Sequence, residues 1–224
     1  MLFKQKTTVI IFLLSSISML GKSKAPETKN NKQYIAHLYA QVTGFGIPSD
    51  EVLYITRKGG APTYGEITYE AAQELLEDLK LASYDIFYDL GSGIGKLAVQ
   101  VALTTPAKKI VGVELSTTRH NTARKIAKQI KKDHKLSKYK KIAFENKNIT
   151  EVSLKDATVI FMCSTCFSQE LMQKIMRVLA HHKKGLRVVT LQKLPKNDLF
   201  ILVKEYRLPM TWSPNSPVYL YCKK

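Results

Sequence analysis

The residue types best suited to chemistry lie in the segment DLGSGIGKLA, which follows a run of apolar residues. Asp89 begins the segment, and Gly91, Gly93 and Gly95 recur at every second position after it. Glycine lets the backbone approach a ligand closely, and the first N–H groups of a following helix are free to bind it. The pattern therefore predicts a cofactor-binding turn between a strand and a helix. The plainer alternative is that the glycines only shape a turn and that Asp89 caps the helix.

Two kinds of cofactor are compatible with such a turn. The segment GIGKLA fits the loose G-x-G-x-x-A pattern of dinucleotide-binding enzymes. Asp89, however, would repel a pyrophosphate and would attract the ammonium group of S-adenosylmethionine. Glu114 ends the next predicted strand, where its carboxylate can accept hydrogen bonds from both ribose hydroxyls. Asn148 follows the third strand and is placed to contact the adenine edge, with Ile149 packing on the ring. These residues favour S-adenosylmethionine.

Strand-like and helix-like segments alternate from about residue 86 onward. This alternation predicts an α/β fold with a doubly wound, mostly parallel, seven-stranded Rossmann-like sheet. The last two strands have no helix between them, which predicts a hairpin at one edge of the sheet. Helix N-caps are expected at Thr68, at Ser116 or Thr117, and at Ser168.

The first 25 residues differ from the rest, because a short basic stretch precedes an apolar run at residues 8–20. The length of this run suits a secretory signal, and an uncleaved membrane anchor is the alternative. We therefore expect a secreted or membrane-anchored protein, with possible membrane association through residues 8–20. The lysines that follow the run would keep the main domain on the cytoplasmic side.

Residues 26–66 are expected to form a small N-terminal region of linker, helix and loop. A polar linker is predicted up to residue 33 and a short helix over residues 34–42. Ser49 or Asp50 is the expected cap of the next helix. Residues 67–224 make up the main domain.

The chain carries 35 Lys and Arg against 18 Asp and Glu, a net charge of +17. Such an excess favours contact with a polyanion, here through a predicted basic helix at residues 119–141, although lysines spread over solvated faces are the alternative. The three cysteines do not make a disulfide framework. The CSTC pair, Cys163 and Cys166, has redox or metal spacing, but no matching ligands accompany it. Buried thiols are expected, and no metal site is predicted.

Several segments, in order, resemble the "disruptor of telomeric silencing" family of non-SET histone lysine methyltransferases. These are TYGE before a helix, FYDLGSGIGKLAVQVAL, KKIVGVEL, ATVIFMCSTCF, GLRVVTLQKLP and MTWSPNSPVYLYCK. The resemblance runs from about residue 50 to the last residue and implies a class I S-adenosylmethionine-dependent methyltransferase domain. The combination of YGE with DLGSG-x-G is the specific part, because the glycine motif alone is common to most methyltransferases.

The resemblance also implies the site residues. The donor site would contain Tyr64, Glu66, Asp89, Gly91, Gly93, Gly95, Lys96, Glu114, Asn148 and Ile149. A narrow acceptor channel would be formed by Cys163, Trp212 and Tyr219, with Tyr221 on the same strand face as Tyr219. Cys163, Lys96 and Asn148 stand where the family usually has asparagine, glutamine and aspartate, respectively.

The implied activity is methyl transfer from S-adenosylmethionine to a lysine side chain of a histone-like protein, without a dedicated catalytic base. A basic helix over residues 119–141 would contact nucleic acid or a nucleosome. Two alternatives remain at this stage. One is a lysine methyltransferase for a non-histone, membrane-associated protein, and the other is a basic nucleic-acid-binding protein with an inactive methyltransferase fold.

Overall fold

The computed structural model describes residues 25–224. The apolar run at residues 8–20, and with it the predicted signal or anchor, lies outside the described residues. Within residues 25–224, no helix is both long enough and apolar enough to cross a membrane.

A single seven-stranded sheet organises the chain, as the alternation of segments predicts. Its strands are β1 (Ile86–Leu90), β2 (Lys109–Glu114), β3 (Lys141–Asn146), β4 (Val159–Met162), β5 (Arg187–Thr190), β6 (Phe200–Met210) and β7 (Ser213–Lys223). The strand order is β3-β2-β1-β4-β5-β7-β6, and the first five strands in this order are parallel. The β6–β7 hairpin is antiparallel, and its second strand inserts next to β5. The predicted edge hairpin is therefore confirmed.

Within residues 25–224, six α-helices pack around the sheet. They are α1 (Ala25–Leu38), α2 (Ser49–Arg57), α3 (Tyr69–Leu79), α4 (Lys96–Thr104), α5 (Thr117–Lys132) and α6 (Gln169–Ala180). Apolar residues of α1, α3, α4 and α5 pack on one sheet face, and those of α6 pack on the other. Layers on both faces bury the central parallel strands, which explains their continuous apolar sequence.

Three predicted N-caps are confirmed by hydrogen bonds. The side-chain oxygens of Thr68, Ser116 and Ser168 each accept a bond from the backbone N–H three residues later. The prediction for α2 is wrong, because Pro48 occupies the cap position and Ser49 already belongs to the helix. Proline has no side-chain acceptor, so no side-chain hydrogen bond caps α2.

Two predicted element boundaries are also wrong. The polar stretch before residue 34 is helical from Ala25, since α1 packs along α4 and Asn31 donates a hydrogen bond to the Leu103 carbonyl, 3.2 Å. The basic helix expected over residues 119–141 ends at Lys132. His134 has a φ of 52°, a left-handed conformation that a helix cannot continue through.

Candidate functional site

A cavity of about 400 Å³ opens at the carboxyl ends of the parallel strands. Open α/β sheets bind ligands at this edge, where the strand order reverses between β1 and β4. The cavity brings together most of the residues predicted from the sequence. The predicted residues that line it are Tyr64, Glu66, Asp89, Gly91, Gly93, Lys96, Glu114, Asn148, Ile149, Cys163 and Trp212.

Two buried acids stand at neighbouring strand ends and form the floor of the cavity. Asp89 lies one residue before the end of β1, and Glu114 is the last residue of β2. Both side chains are buried, and Glu114 accepts hydrogen bonds from the backbone N–H groups of Gly93 and Ser116, each 2.8 Å. These bonds fix the orientation of the Glu114 carboxylate towards the glycine turn.

Asp89 differs from Glu114, because no donor among residues 25–224 forms a hydrogen bond with its carboxylate. Burial, together with the nearby charge of Glu114, raises the pKa of Asp89 to about 7. A buried carboxylate without a cationic partner is costly. This position therefore favours binding of a positively charged group.

Glycine is required where the turn approaches aromatic rings. Gly93 has a φ of 55°, and a Cβ added to it would lie 2.6 Å from the Tyr64 ring. Gly95 does not line the cavity, although the sequence places it in the cofactor site. It caps α4 with a φ of 84°, and its missing side chain leaves room for the Phe144 ring. Its contribution to the site is therefore the shape of the turn, because helix α4 starts directly after it.

Tyr64, Glu66 and Lys96 form a connected group on one wall of the cavity. The Tyr64 hydroxyl donates a hydrogen bond to one oxygen of Glu66, and the Lys96 ammonium contacts the other oxygen at 2.5 Å. Lys96 is the first residue of α4, and its ammonium also lies 5.4 Å from the centre of the Tyr39 ring. The Lys96–Glu66 ion pair thus lies beside the helix N-terminus, whose dipole favours a carboxylate ligand.

Arg119 lines the cavity, whereas the sequence analysis placed it in the basic helix expected to contact a polyanion. Its guanidinium lies 4.9 Å from the centre of the Tyr64 ring. It donates hydrogen bonds to the Gly44 carbonyl at 2.9 Å and to the Pro62 carbonyl at 2.6 Å. The apolar residues at positions 123, 126 and 130 share its helix face, and this spacing was the signal that it is buried.

Glu51 of α2 is a second residue that the sequence did not reveal. Its carboxylate accepts hydrogen bonds from the Ser116 hydroxyl at 2.6 Å and from the Thr118 hydroxyl and backbone N–H at 2.7 and 3.0 Å. Burial would raise the pKa of Glu51, but these bonds outweigh it and lower the pKa. Glu51 and Arg119 thus hold the segment around α2 over the cavity, which Ile55 lines.

Asn148 and Ile149 lie on the cavity wall where the sequence predicts adenine contacts. The Asn148 side-chain oxygen accepts bonds from the backbone N–H and the hydroxyl of Thr150, 3.0 and 2.9 Å. Because a backbone N–H can only donate, these bonds identify the side-chain oxygen. The amide N–H groups of Asn148 are therefore the atoms available to a ligand.

The opposite side of the cavity is formed by a short 3₁₀ turn, Ser164–Cys166, directly after β4. The Gln192 amide donates hydrogen bonds to three carbonyls of this loop, including that of Ser164 at 2.6 Å. Burial, with the charge of Asp89, raises the pKa of Cys163 to about 12. Its thiol is therefore neutral at physiological pH. In residues 25–224, no cluster of three or more His, Cys, Asp or Glu side chains is arranged to hold a metal ion.

Trp212 belongs to the turn between β6 and β7 and covers Gly65, whose Cβ position the indole ring would overlap. Thr211 joins this turn to the Tyr64–Glu66 segment. Its hydroxyl accepts a hydrogen bond from the Glu66 N–H at 3.0 Å, and its own N–H donates to the Glu66 carbonyl at 2.8 Å. Two segments far apart in sequence thus meet at the mouth of the cavity.

Tyr219 is not among the residues that line the cavity, and its place in the acceptor channel stays a prediction. The register aligns Tyr219 with Thr190, Met162 and Leu90 across the sheet. Leu90 and Met162 belong to the α6 side of the core, whereas Asp89 faces the other side. Side chains of neighbouring strands in one row share a face, so Tyr219 points away from Asp89. Tyr221, two residues on, lies on the same side as Tyr219.

The residues present fit S-adenosylmethionine. Asp89 lacks a cation, and the Ser92 hydroxyl is buried at the cavity without a hydrogen-bond partner among the described residues. The Lys96 ammonium, which is ion-paired with Glu66, lies close to the helix N-terminus, whose free N–H groups favour a carboxylate. The cavity thus offers complementary groups for both charges of an amino acid, as well as amide and apolar groups at Asn148 and Ile149 for a base.

The strand order, with its antiparallel β7, and this cavity define a class I S-adenosylmethionine-dependent methyltransferase. Residues 46–211 match the family described as "Histone methylation protein DOT1". The match covers most of the chain, and the chain belongs to this family.

Curated relatives agree with the family. A histone-lysine N-methyltransferase, H3 lysine-79 specific, of Caenorhabditis elegans is 34% identical over 143 residues, which are 60% of this chain and 15% of that protein. A protein-lysine N-methyltransferase of Saccharolobus islandicus is 31% identical over 122 residues, 54% of this chain and 70% of that protein. The chain thus spans only a small part of the nematode relative.

Solved structures share the fold. An RNA methyltransferase of Salinibacter ruber in complex with S-adenosyl-L-homocysteine superposes with a TM-score of 0.53 at 21% identity, covering 70% of this chain and 92% of that one. Magnesium protoporphyrin IX methyltransferase of Synechocystis with bound SAM superposes with a TM-score of 0.53 at 13% identity. This match covers 87% of this chain and 97% of that one. At these identities the similarity shows the methyltransferase fold alone.

Proposed function

We propose that the protein methylates a lysine side chain of a protein, using S-adenosylmethionine as the methyl donor. One observation carries the proposal. In a DOT1 family member, the two acids of the donor site share a cavity with a partly apolar acceptor side lined by Thr165, Cys166, Phe167 and Trp212. The protein-lysine N-methyltransferase of Saccharolobus islandicus supports a protein lysine as the acceptor.

The side chains of this chain would bind and position the two reactants. Asp89 would bind the ammonium group of the cofactor, Glu114 its ribose hydroxyls and Lys96 its carboxylate. The bound cofactor supplies an electrophilic methyl group. Trp212 and Phe167 would exclude water from the acceptor amine and lower its pKa, which favours the neutral nucleophile.

The thiol of Cys163 does not serve as the base in this scheme. Its raised pKa keeps the thiol protonated, and a neutral thiol is a poor proton acceptor. Its place at the end of β4, on the cavity wall, supports a role in shaping the acceptor channel. The amine is expected to lose its proton before it enters.

A histone-like protein bound to nucleic acid is the acceptor that the surface charge favours. Helix α5 presents a basic outer face to solvent, formed by Arg124, Lys125, Lys128, Lys131 and Lys132. Such a face can contact phosphates and would make binding depend on salt concentration. Location in a secretory or membrane compartment remains a prediction from residues 1–25.

The test is to incubate the purified chain with labelled S-adenosylmethionine and, in separate reactions, nucleosomes, free histones and a cell extract. Mass spectrometry of the labelled proteins should identify methyllysine. The Glu114→Gln variant should lose the signal, while Asp198→Asn, a change on the exposed surface, should retain it. Label found only in small molecules, or no binding of the cofactor, would contradict the proposal.

A further inference from the structure

The first half of the edge strand β6 exposes a run of large aliphatic side chains. We call four of these residues the basal apolar patch. They are Leu199, 40% exposed, Ile201, 50%, Leu202, 42%, and Val203, 55%. Only Phe200 within this run turns into the core. The register places Ile201 and Leu202 on opposite faces of the strand, so the patch lies around the edge of the sheet rather than on one face. Monomeric soluble proteins rarely leave several large apolar groups together in water, so this edge is expected to be covered.

Basic side chains surround the basal apolar patch. The Lys224 N–H bonds to the Leu199 carbonyl at 2.9 Å, and the Gly185 N–H bonds to the Lys223 carbonyl at 2.9 Å. These bonds bring three exposed lysines close to the patch, and a fourth precedes it in sequence. The four are Lys183, Lys184, Lys196 and Lys224. Asp198 is the exposed acid next to the patch, so the local charge remains positive.

The patch is poorly suited to pairing with another strand. The ladder between β6 and β7 is interrupted between Leu202 and Lys204, where Val203 is the extra residue. A bulge and a lysine on an edge strand are two of the features that prevent edge-to-edge pairing. Another β-strand, which needs a regular row of backbone hydrogen-bond partners, is therefore a worse match to this edge than a fluid apolar phase.

The patch lies at the end of the sheet opposite the cavity. Phe200 pairs with Lys223, beside the start of β5, whereas the cavity opens at the carboxyl ends of the parallel strands. Helix α1 runs antiparallel to α4, because Asn31 contacts Leu103 and Tyr39 contacts Ile94. The first residues of α1 therefore lie towards the same end of the sheet as the patch.

We propose that the basal apolar patch and its lysines dock on the surface of an anionic lipid bilayer. Aliphatic side chains would enter the boundary between headgroups and acyl chains, and lysines would contact the anionic headgroups. In this orientation the cavity faces the aqueous phase and stays accessible to a protein acceptor. The proposal rests on β6 and its neighbours, and it is independent of methyl transfer.

The experiment measures binding of the full-length chain to sedimenting vesicles of phosphatidylcholine with and without about one third phosphatidylserine. The test variant is Ile201→Asp with Val203→Asp, and the control is Leu53→Asp with Tyr54→Asp on the exposed face of α2. We expect the test variant to lose roughly tenfold or more in affinity for the anionic vesicles, because its charges cannot enter the bilayer. The control should bind like the wild type.

Retained cofactor binding checks that the test variant folds, because its changes lie far from the cavity. Equal vesicle binding by the test variant and the wild type would overturn the proposal, as would an equal loss in the control. Binding that does not depend on phosphatidylserine would also overturn it. A wild-type dimer that the test variant abolishes would identify a second copy, rather than lipid, as the occupant.

A second variant gives a direct reading of insertion. The sequence contains one tryptophan, Trp212, at the mouth of the cavity. In the Val203→Trp variant, anionic vesicles should shift the added tryptophan emission to shorter wavelength, whereas the wild-type emission should not change. An unshifted Val203→Trp spectrum at saturating lipid would contradict docking through this strand.

Discussion

The two sides of the cavity are built in different ways. The donor side consists of the ends of β1 and β2, the glycine turn between β1 and α4, and Asn148 and Ile149 after β3, so most of its residues lie within one stretch of sequence. The acceptor side combines the loop after β4 with the turn before β7, and this turn bonds to the Tyr64–Glu66 segment, which the sequence analysis assigned to the donor site. The residues proposed to bind the cofactor thus lie mostly in one part of the sequence, whereas those proposed to bind the acceptor come from distant segments.

The largest expected effect is on the donor side, from Asp89→Ala. Removal of the carboxylate leaves the ammonium group of the cofactor without its charged partner, so cofactor affinity should fall by roughly a hundredfold, about 3 kcal/mol. Titration calorimetry measures this change, and Asp198→Ala on the surface is the control. Unchanged affinity would contradict the role of Asp89 and the comparison built on it.

The second effect is a pH dependence that belongs to the donor side alone. Asp89 must be ionised to attract a cation, and its pKa in the cofactor-free protein is about 7. Cofactor affinity should therefore fall roughly tenfold as the pH drops from about 7 to about 5.5, where the cofactor's own amino group stays protonated. Calorimetry across this range should give a flat profile for Asp89→Asn. A profile in the variant that matches the wild type would assign the titration to another group.

A smaller effect is expected on the acceptor side, from Trp212→Ala. The indole ring lines the cavity mouth and packs on Gly65, so its loss should open the channel to water. We expect the KM for the protein acceptor to rise several-fold, about 1 kcal/mol, and the cofactor Kd to stay within about twofold. Steady-state kinetics measures the KM for the acceptor, and calorimetry measures the Kd for the cofactor. Tyr84→Ala, an exposed aromatic at the other end of β1, is the control.

If Trp212→Ala instead weakens the cofactor as much as the acceptor, the two sides are coupled. The hydrogen bonds between Thr211 and Glu66 would then connect the turn that carries Trp212 to the donor side, since Glu66 contacts Lys96.

The smallest effect should come from Tyr219→Phe. The Tyr219 side chain packs on the α6 side of the sheet, so the loss of its hydroxyl should leave cofactor Kd and acceptor KM unchanged within about twofold. Tyr64→Phe is the matched substitution inside the cavity, and it should weaken activity because the bond to Glu66 is lost. Steady-state kinetics would compare them, and a larger loss in Tyr219→Phe would mean that the strand faces the acceptor.

The local sequence determined the sheet, most of its elements and the donor site. Alternating strands and helices, together with side-chain caps such as Ser116, are short-range patterns that fix element type and order. The chemistry of Asp89 and Glu114 followed from their positions at strand ends, because parallel strands bring their carboxyl ends to one edge.

Only the tertiary structure decided which side chains complete the site. Arg119 reads as one more positive charge in a basic helix, and its contacts with Gly44 and Pro62 appear only when the N-terminal region folds over α5. The face that Tyr219 occupies is likewise a tertiary property, because the register of an antiparallel strand sets which face of the sheet each residue occupies. Contacts of this range depend on packing between segments, which no short sequence pattern records.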